Sequence, residues 1–368
     1  MTADRLRSAR RRHAWICVAL LGWLSAACAA TTPPEAALPD AAAGGRATYI
    51  DTHAHLDGRI SPMATDYEGA VSVALETMNR LGIRKTLVLP PPFSSGHPHQ
   101  YDFEDFLAAI GRHPARFGFL GGGGSLNVMI QDAVRAGAVG PEARRRLEAR
   151  AAEIVRAGAA GLGEITTEHL SLGPGHPYET APPDHPLLLA LADVAARLDV
   201  PVDLHMEAVA ADMPLPPRLF SPPNPPALRE NIAAFERLLG HNRRARIVWA
   251  HAGWDNTGHR TLALSRRLLA AHPNLFMSLK IGRESLPDTR PMAGDAIRPE
   301  WIELIRAFPD RFVIGSDQFH ASPRSPQRWP RSAEGPRRLL DQLPDDVARL
   351  VAEDNALRIY RLREERRS

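Results

Sequence analysis

The chain has 368 residues, 44% hydrophobic and 24% charged, enough apolar content for a large core and too little charge for a disordered polyelectrolyte. Two cysteines exclude a disulfide miniprotein. The net charge of +3 comes from the first 28 residues, which hold five arginines against one aspartate, so the slightly acidic remainder offers no field for nucleic acid or an anionic membrane.

The elements begin with a leader. Residues 5–13 are cationic, 14–27 apolar, and small residues follow, the three-part pattern of a secretory signal; the apolar run is too short to span a bilayer comfortably. Both cysteines, Cys17 and Cys28, lie here. Leu24-Ser25-Ala26-Ala27-Cys28 resembles a bacterial lipoprotein signal, which makes 1–28 the signal peptide and Cys28 the lipidated residue; simple cleavage within 26–30 is the alternative. Either way the expectation is export, to the periplasm or to a membrane anchor. Residues 29–46, rich in Ala, Pro and Thr, read as a flexible linker, and 47–368 as the folded body, without a cysteine pair to stabilise it.

From residue 47, short β-branched and apolar runs alternate with longer amphipathic ones. Strands are expected at 48–55, 85–90, 117–121, 160–165, 200–206, 246–251, 275–281 and 312–317. Helices are expected at 68–81, 103–110, 141–157, 186–198, 227–239, 261–271 and 300–307, with Gly or Pro between elements. Eight strand–helix units predict an α/β fold, a (β/α)8 TIM barrel with its site at the C-terminal strand ends. An open doubly wound sheet is the alternative, but the first turn carries Thr52, His53, Ala54 and His55 rather than a glycine-rich phosphate loop. The proline-rich insertion 209–226 reads as a stiff lid.

His53 and His55 end the first strand, where a period of two sends them, with Asp51, to one face. Among 15 histidines one such pair is near chance, and His97-x-His99 has the same spacing in a loop that reads as solvated. The argument therefore rests on the other strand ends: Glu164 ends the fourth, His205 the fifth, His251 the sixth and Asp317 the eighth. Singly, each carboxylate could cap a helix and each imidazole could sit in the core. A joint cluster without a cation would be costly to desolvate, which points to a divalent metal.

Asp51-Thr-His-Ala-His55, Gly163-Glu164-Ile165, Asp203-Leu-His205, Ala250-His251-Ala-Gly253 and Gly315-Ser-Asp317 resemble the metal centre of the amidohydrolase superfamily. Arg112-His-Pro-Ala-Arg-Phe117, Pro309-Asp-Arg-Phe312 and Asn355-Ala-Leu-Arg-Ile359 are similar to its amidohydrolase-related, family-2 branch, which also contains decarboxylases. The resemblance implies that His53, His55, His205 and Asp317 hold a metal, most simply zinc, as one or two ions. It implies that Asp317 accepts a proton from the activated water and that His251 binds a second metal or polarises a carbonyl. Where many two-metal relatives carry a modified lysine on the fourth strand, this chain has Glu164, either a ligand or a neighbouring contact.

Trp254, Lys280 and His320 are the expected substrate contacts, with Arg283, Asp255, Asn256 and Phe319 nearby. The resulting expectation is an exported, metal-dependent hydrolase of a small molecule's C–N or C–O bond (amide, lactone or ester). A decarboxylase or C–C hydrolase of the same family and a catalytically inactive envelope lipoprotein are the alternatives. Specificity is expected in the loops 209–226 and 285–299; the sequence leaves substrate and oligomeric state open.

Overall fold

The computed structural model describes residues 47–173, 176–282 and 284–363. The signal segment with Cys17 and Cys28, the 29–46 linker and Arg283 lie outside them. Among the described residues, no helix is long and apolar enough to cross a membrane.

All eight expected strands form. They are β1 Tyr49–Asp57, β2 Ile83–Val88, β3 Phe117–Gly122, β4 Gly161–His169, β5 Val202–Met206, β6 Ile247–Ala252, β7 Leu275–Leu279 and β8 Phe312–Ile314. Each pairs in parallel with the next, and β8 returns to β1 where Ile314 faces Asp51, closing a (β/α)8 barrel. Six of the eight, all but β2 and β3, are buried throughout, which explains why they read as continuous apolar runs rather than as alternating ones.

Two apolar layers set where polar groups can go. The outer layer, including Tyr49, Leu56, Met78, Phe106 and Trp249, packs the sheet against the helices. The inner cluster includes Ile50, Val248, Phe276 and Val313, each the second residue of its strand, with Ala356 and Ile359 of the last helix, Asn355–Ile359. Apolar side chains thus fill the barrel where strands begin, and the strand ends are left for chemistry.

Several boundaries differ from expectation. Helix Leu126–Ala136 is not legible as an amphipathic pattern, because its buried face carries Asn127 and Gln131. These side chains bind backbone groups of β4: Thr166 N donates to Asn127 Oδ1 (3.0 Å) and Gln131 Nε2 donates to the Thr166 carbonyl (3.1 Å). The helix expected at 227–239 is Ile232–His241, since Ala227–Leu228 pair instead with Met213–Pro214. The eighth strand stops at Ile314, Asp317 adopts φ 54°, and the chain resumes beside β1 as β9, Gln318–Ala321.

Candidate metal centre

Strands β1, β4, β5 and β6 and the turn after β8 deliver the cluster; Glu164, expected to end the fourth strand, lies within β4, which runs on to His169. His55 Nδ1 donates to the Leu89 carbonyl at 2.8 Å, so in a neutral ring Nε2 presents a lone pair. That nitrogen lies 3.0 Å from Asp317 Oδ1 and 3.7 Å from Glu164 Oε2. His53 Nδ1 stands 3.1 Å from Asp203 Oδ1, and its Nε2 lies 3.5 Å from Glu164 Oε2 and 3.8 Å from Asp317 Oδ1. Glu164 turns its other oxygen the opposite way: Oε1 is 2.8 Å from His205 Nδ1 and 3.1 Å from His251 Nε2, and these two nitrogens are themselves 3.1 Å apart.

Close packing makes this convergence possible. A Cβ on Gly163 would come 2.8 Å from Asp203 Cβ, and one on Gly315 would come 2.8 Å from Ser278 Cβ and 3.0 Å from His53 Cβ. The glycines beside Glu164 and Asp317 therefore let neighbouring strands approach. His251, at φ 64°, and Asp317 both occupy the left-handed region, a local strain that sets their side chains at the cluster. Asp51, expected on the same face as the imidazoles, does not join them. Its Oδ1 accepts from Ser316 N at 2.9 Å and its other oxygen from the Ser316 hydroxyl, fixing the turn that presents Asp317.

The donor set fits divalent cations. His53 is fully buried with its Nε2 lacking a hydrogen-bond partner, while two carboxylate oxygens stand beyond hydrogen-bond distance. Ligands about 2.0–2.2 Å from one tetrahedral ion lie about 3.3–3.6 Å from each other, close to the spacings around His53, His55, Glu164 and Asp317. The triangle of Glu164 Oε1, His205 Nδ1 and His251 Nε2 is tighter, with sides of 2.8–3.1 Å. His53–Glu164–His251 and His53–His55–Asp317 are groups whose geometry can hold an ion.

Without a cation, the electrostatics are strongly polarised. Burial opposes ionisation of Glu164, but His53, His205 and His251 outweigh it and hold the carboxyl well below its usual range. Asp317 is likewise depressed against its burial, by Lys280, His251 and His55. Burial would deprotonate His53, yet Asp203 and Glu164 raise it well above the ordinary histidine value. Burial drives His251 down to about 3.

The cluster floors a cavity of about 1130 Å³. Trp254 and Lys280 line it as expected, with the Lys280 ammonium 2.6 Å from Asp317 Oδ2 and 3.9 Å from the Trp254 ring centre. His320, an expected substrate contact, does not line it. It pairs in register with Leu56, which packs in the outer core, while Phe319 pairs with His55 and takes the cavity wall. His97 and His99 line the cavity, whereas their loop had read as merely solvated.

The loops 209–226 and 285–299 contribute no wall. The expected lid makes a small core of its own, with Leu215 and Leu219 near Val209 and Leu228, and Arg218 Nη2 reaches Asn256 Oδ1 at 3.0 Å. Walls come instead from residues around 57–67, 91–101, 169–173, 176–177 and 327–332. Asp203 and Arg260 were assigned no role from sequence, although a charged Asp203 inside the fully buried strand β5 is itself a signal. Arg260 donates to the Ala250 and Trp249 carbonyls beneath His251 and stacks 4.0 Å from the Trp249 ring centre.

Barrel and cluster together define an α/β-barrel class with a buried histidine–carboxylate cluster that could hold a metal. The chain belongs to the amidohydrolase family, whose model matches residues 13–362. No curated protein matches it. Among solved structures it is similar to a probable 2-pyrone-4,6-dicarboxylic acid hydrolase from Acinetobacter baumannii, with 14% identity and a TM-score of 0.47 over 86% of this chain and 100% of that one. It is similar to a dihydroxybenzoic acid decarboxylase from Polaromonas with bound manganese, with 15% identity and a TM-score of 0.47 over 86% and 98% of the two chains. A Deinococcus radiodurans lactonase mutant gives 14% identity and a TM-score of 0.48 over 84% and 95%.

Proposed function

We propose that the chain is a metal-dependent hydrolase that cleaves a C–N or C–O bond of a small molecule with the aid of two divalent cations. The observation that carries this reading is the division of Glu164, with Oε2 toward His53 and His55 and Oε1 toward His205 and His251. A carboxylate so shared would serve both ions and bring the fourth strand into the centre, as two-metal members of the superfamily do. His53, His55, Glu164 and Asp317 would hold one cation; Glu164, His205 and His251 the other.

Bound there, the cations supply Lewis-acid polarisation of the substrate oxygen and make water ionisable near neutral pH. Asp317 accepts the proton that water gives up as its oxygen attacks, then returns it to the leaving nitrogen or oxygen. Lys280, paired with Asp317 Oδ2, keeps that carboxylate ionised and aimed. Asp203 fixes the His53 ring from behind. Trp254 shapes the pocket wall beside His251.

The test is a screen of amide, lactone and ester substrates with the metal-loaded protein and its Asp317→Asn variant. Hydrolysis that falls by about 10²–10⁴ in the variant while metal content persists is the expected result. Undiminished turnover in the variant contradicts the assignment, and carbon dioxide release in place of hydrolysis selects decarboxylation. We also propose that the protein is exported and held at a membrane through Cys28; the support is the leader pattern of residues 1–28.

A further inference from the structure

The face of the barrel where strands begin, opposite the cavity, gathers arginines. The connections into β5, β6 and β8 and the chain after the last helix bring four guanidiniums together around two acids. Asp199 accepts from Arg246 Nη1 at 2.6 Å with one oxygen and from Arg361 Nη2 with the other. Asp310 Oδ1 lies 3.3 Å from Arg311 Nε, and the Asp310 carbonyl accepts from Arg358 Nη2. Arg311 and Arg358 each stand 5.6 Å from the centre of the Phe276 ring, in the apolar plug. Partial burial lowers the Arg358 guanidinium, and the charges of Arg311 and Arg246 lower it further against the pull of Asp310, so these groups repel one another as one set. In the turn before β6, Arg243 and Arg244 are exposed, and no carboxylate among the described residues pairs with either.

Net charge conceals this surplus. The chain beyond its first 28 residues carries no net positive charge, so the excess of arginine belongs to one face and is balanced by acids elsewhere. The chain also enters the barrel on this face. The Ala47 carbonyl accepts from Arg337 Nη1 at 2.7 Å, and β1 begins two residues later at Tyr49. Residues 29–46 separate Ala47 from Cys28, at most about 65 Å of extended chain. A group attached at Cys28 is therefore tethered to the cationic end of the barrel rather than to the cavity mouth.

We infer that this arginine-rich base is a membrane contact: it lies against the anionic headgroups of a lipid surface, with the cavity mouth directed away from it. That the surface is the one holding Cys28 rests on the proposed export; the cationic face does not. Each guanidinium near an anionic bilayer strengthens binding by about fivefold, and salt screens the attraction. Alone it holds a protein weakly and reversibly; beside a lipid anchor it fixes which face of the barrel meets the membrane.

Co-sedimentation of the full chain carrying Cys28→Ala with phosphatidylcholine vesicles, made with and without phosphatidylglycerol, tests this at low ionic strength. The parent chain should prefer the anionic vesicles. Adding Arg243→Gln and Arg244→Gln should weaken that binding at least about tenfold, and high salt should abolish the difference. Adding Arg229→Gln and Arg324→Gln instead removes the same charge from exposed positions on loops at the mouth end, and should leave binding as in the parent. The leader is common to all three chains and drops out of the comparison. Equal binding by the Arg243/Arg244 variant and its parent would overturn the base contact, as would an equal loss in the Arg229/Arg324 variant, which would show a response to total charge. Retention by a DNA duplex at a salt concentration that releases the vesicles would overturn it too, by making the face a nucleic-acid surface. Cell fractionation judges the export reading separately, since a chain that is never exported leaves the vesicle result standing.

Discussion

Glu164 owes its central place to the residues on either side of it in space rather than in sequence. Gly163 admits the Asp203 strand at a distance no side chain would allow, and His53, His205 and His251 then surround the carboxylate. Glu164→Gln should lose at least one equivalent of metal by elemental analysis, because an amide presents one oxygen instead of two and no charge. Asp203→Asn should weaken metal affinity by about 10–100-fold in a chelator competition, as expected for a carboxylate that orients a ligand imidazole. Equal affinity in that variant would mean that the barrel wall alone fixes His53. Arg260 acts one step further away, by taking up the Trp249 and Ala250 carbonyls where β6 turns into the left-handed conformation of His251. Its guanidinium is buried, and desolvation lowers it to about 9.

At the scale of elements, barrel order was legible because each strand is a short buried run followed by a longer helical pattern. The cluster was legible because its members end the strands as read from sequence, although β1 and β4 run on past His55 and Glu164 and β8 stops short of Asp317. What escaped the sequence is tertiary in origin. Polar Asn127 and Gln131 serve β4 from a helix whose pattern they disrupt, the 209–226 insertion braces the Asn256 loop rather than covering the cavity, and alternation along β9 exchanges His320 for Phe319. Past Glu164, β4 continues to Glu168, 6% exposed, which burial pushes up to about 7. A glutamate's value in an unfolded chain is about 4.3, so the folded state holds this proton more tightly. Its stabilising effect is complete below about pH 4.3 and is lost as pH rises through about 7. Melting temperatures recorded between pH 4.5 and 7.5 should therefore fall less steeply for Glu168→Gln than for wild type; parallel curves would show that the carboxyl ionises as freely as in water.

For the whole molecule, an apolar plug where strands begin and a polar cluster where they end form two halves with different demands. The plug, with Ile50, Val248, Phe276 and Val313, is self-sufficient, whereas the cluster crowds buried carboxylates and imidazoles together. Divalent cations that bind only the folded chain stabilise it by mass action, so chelation should lower the melting temperature and manganese or zinc should restore it. The proposed export belongs to this scale too: with Cys28 as the anchor, Cys28→Ala should release the protein from membranes in cell fractionation while its folding is unchanged. The central claim, that Glu164 lies between two cations, is tested most directly by anomalous diffraction at the metal absorption edge from crystals of the as-isolated protein. The account predicts two peaks, one among His53, His55 and Asp317 and one between His205 and His251, with Glu164 contacting both. A single peak out of reach of Glu164, or none at all, would contradict it.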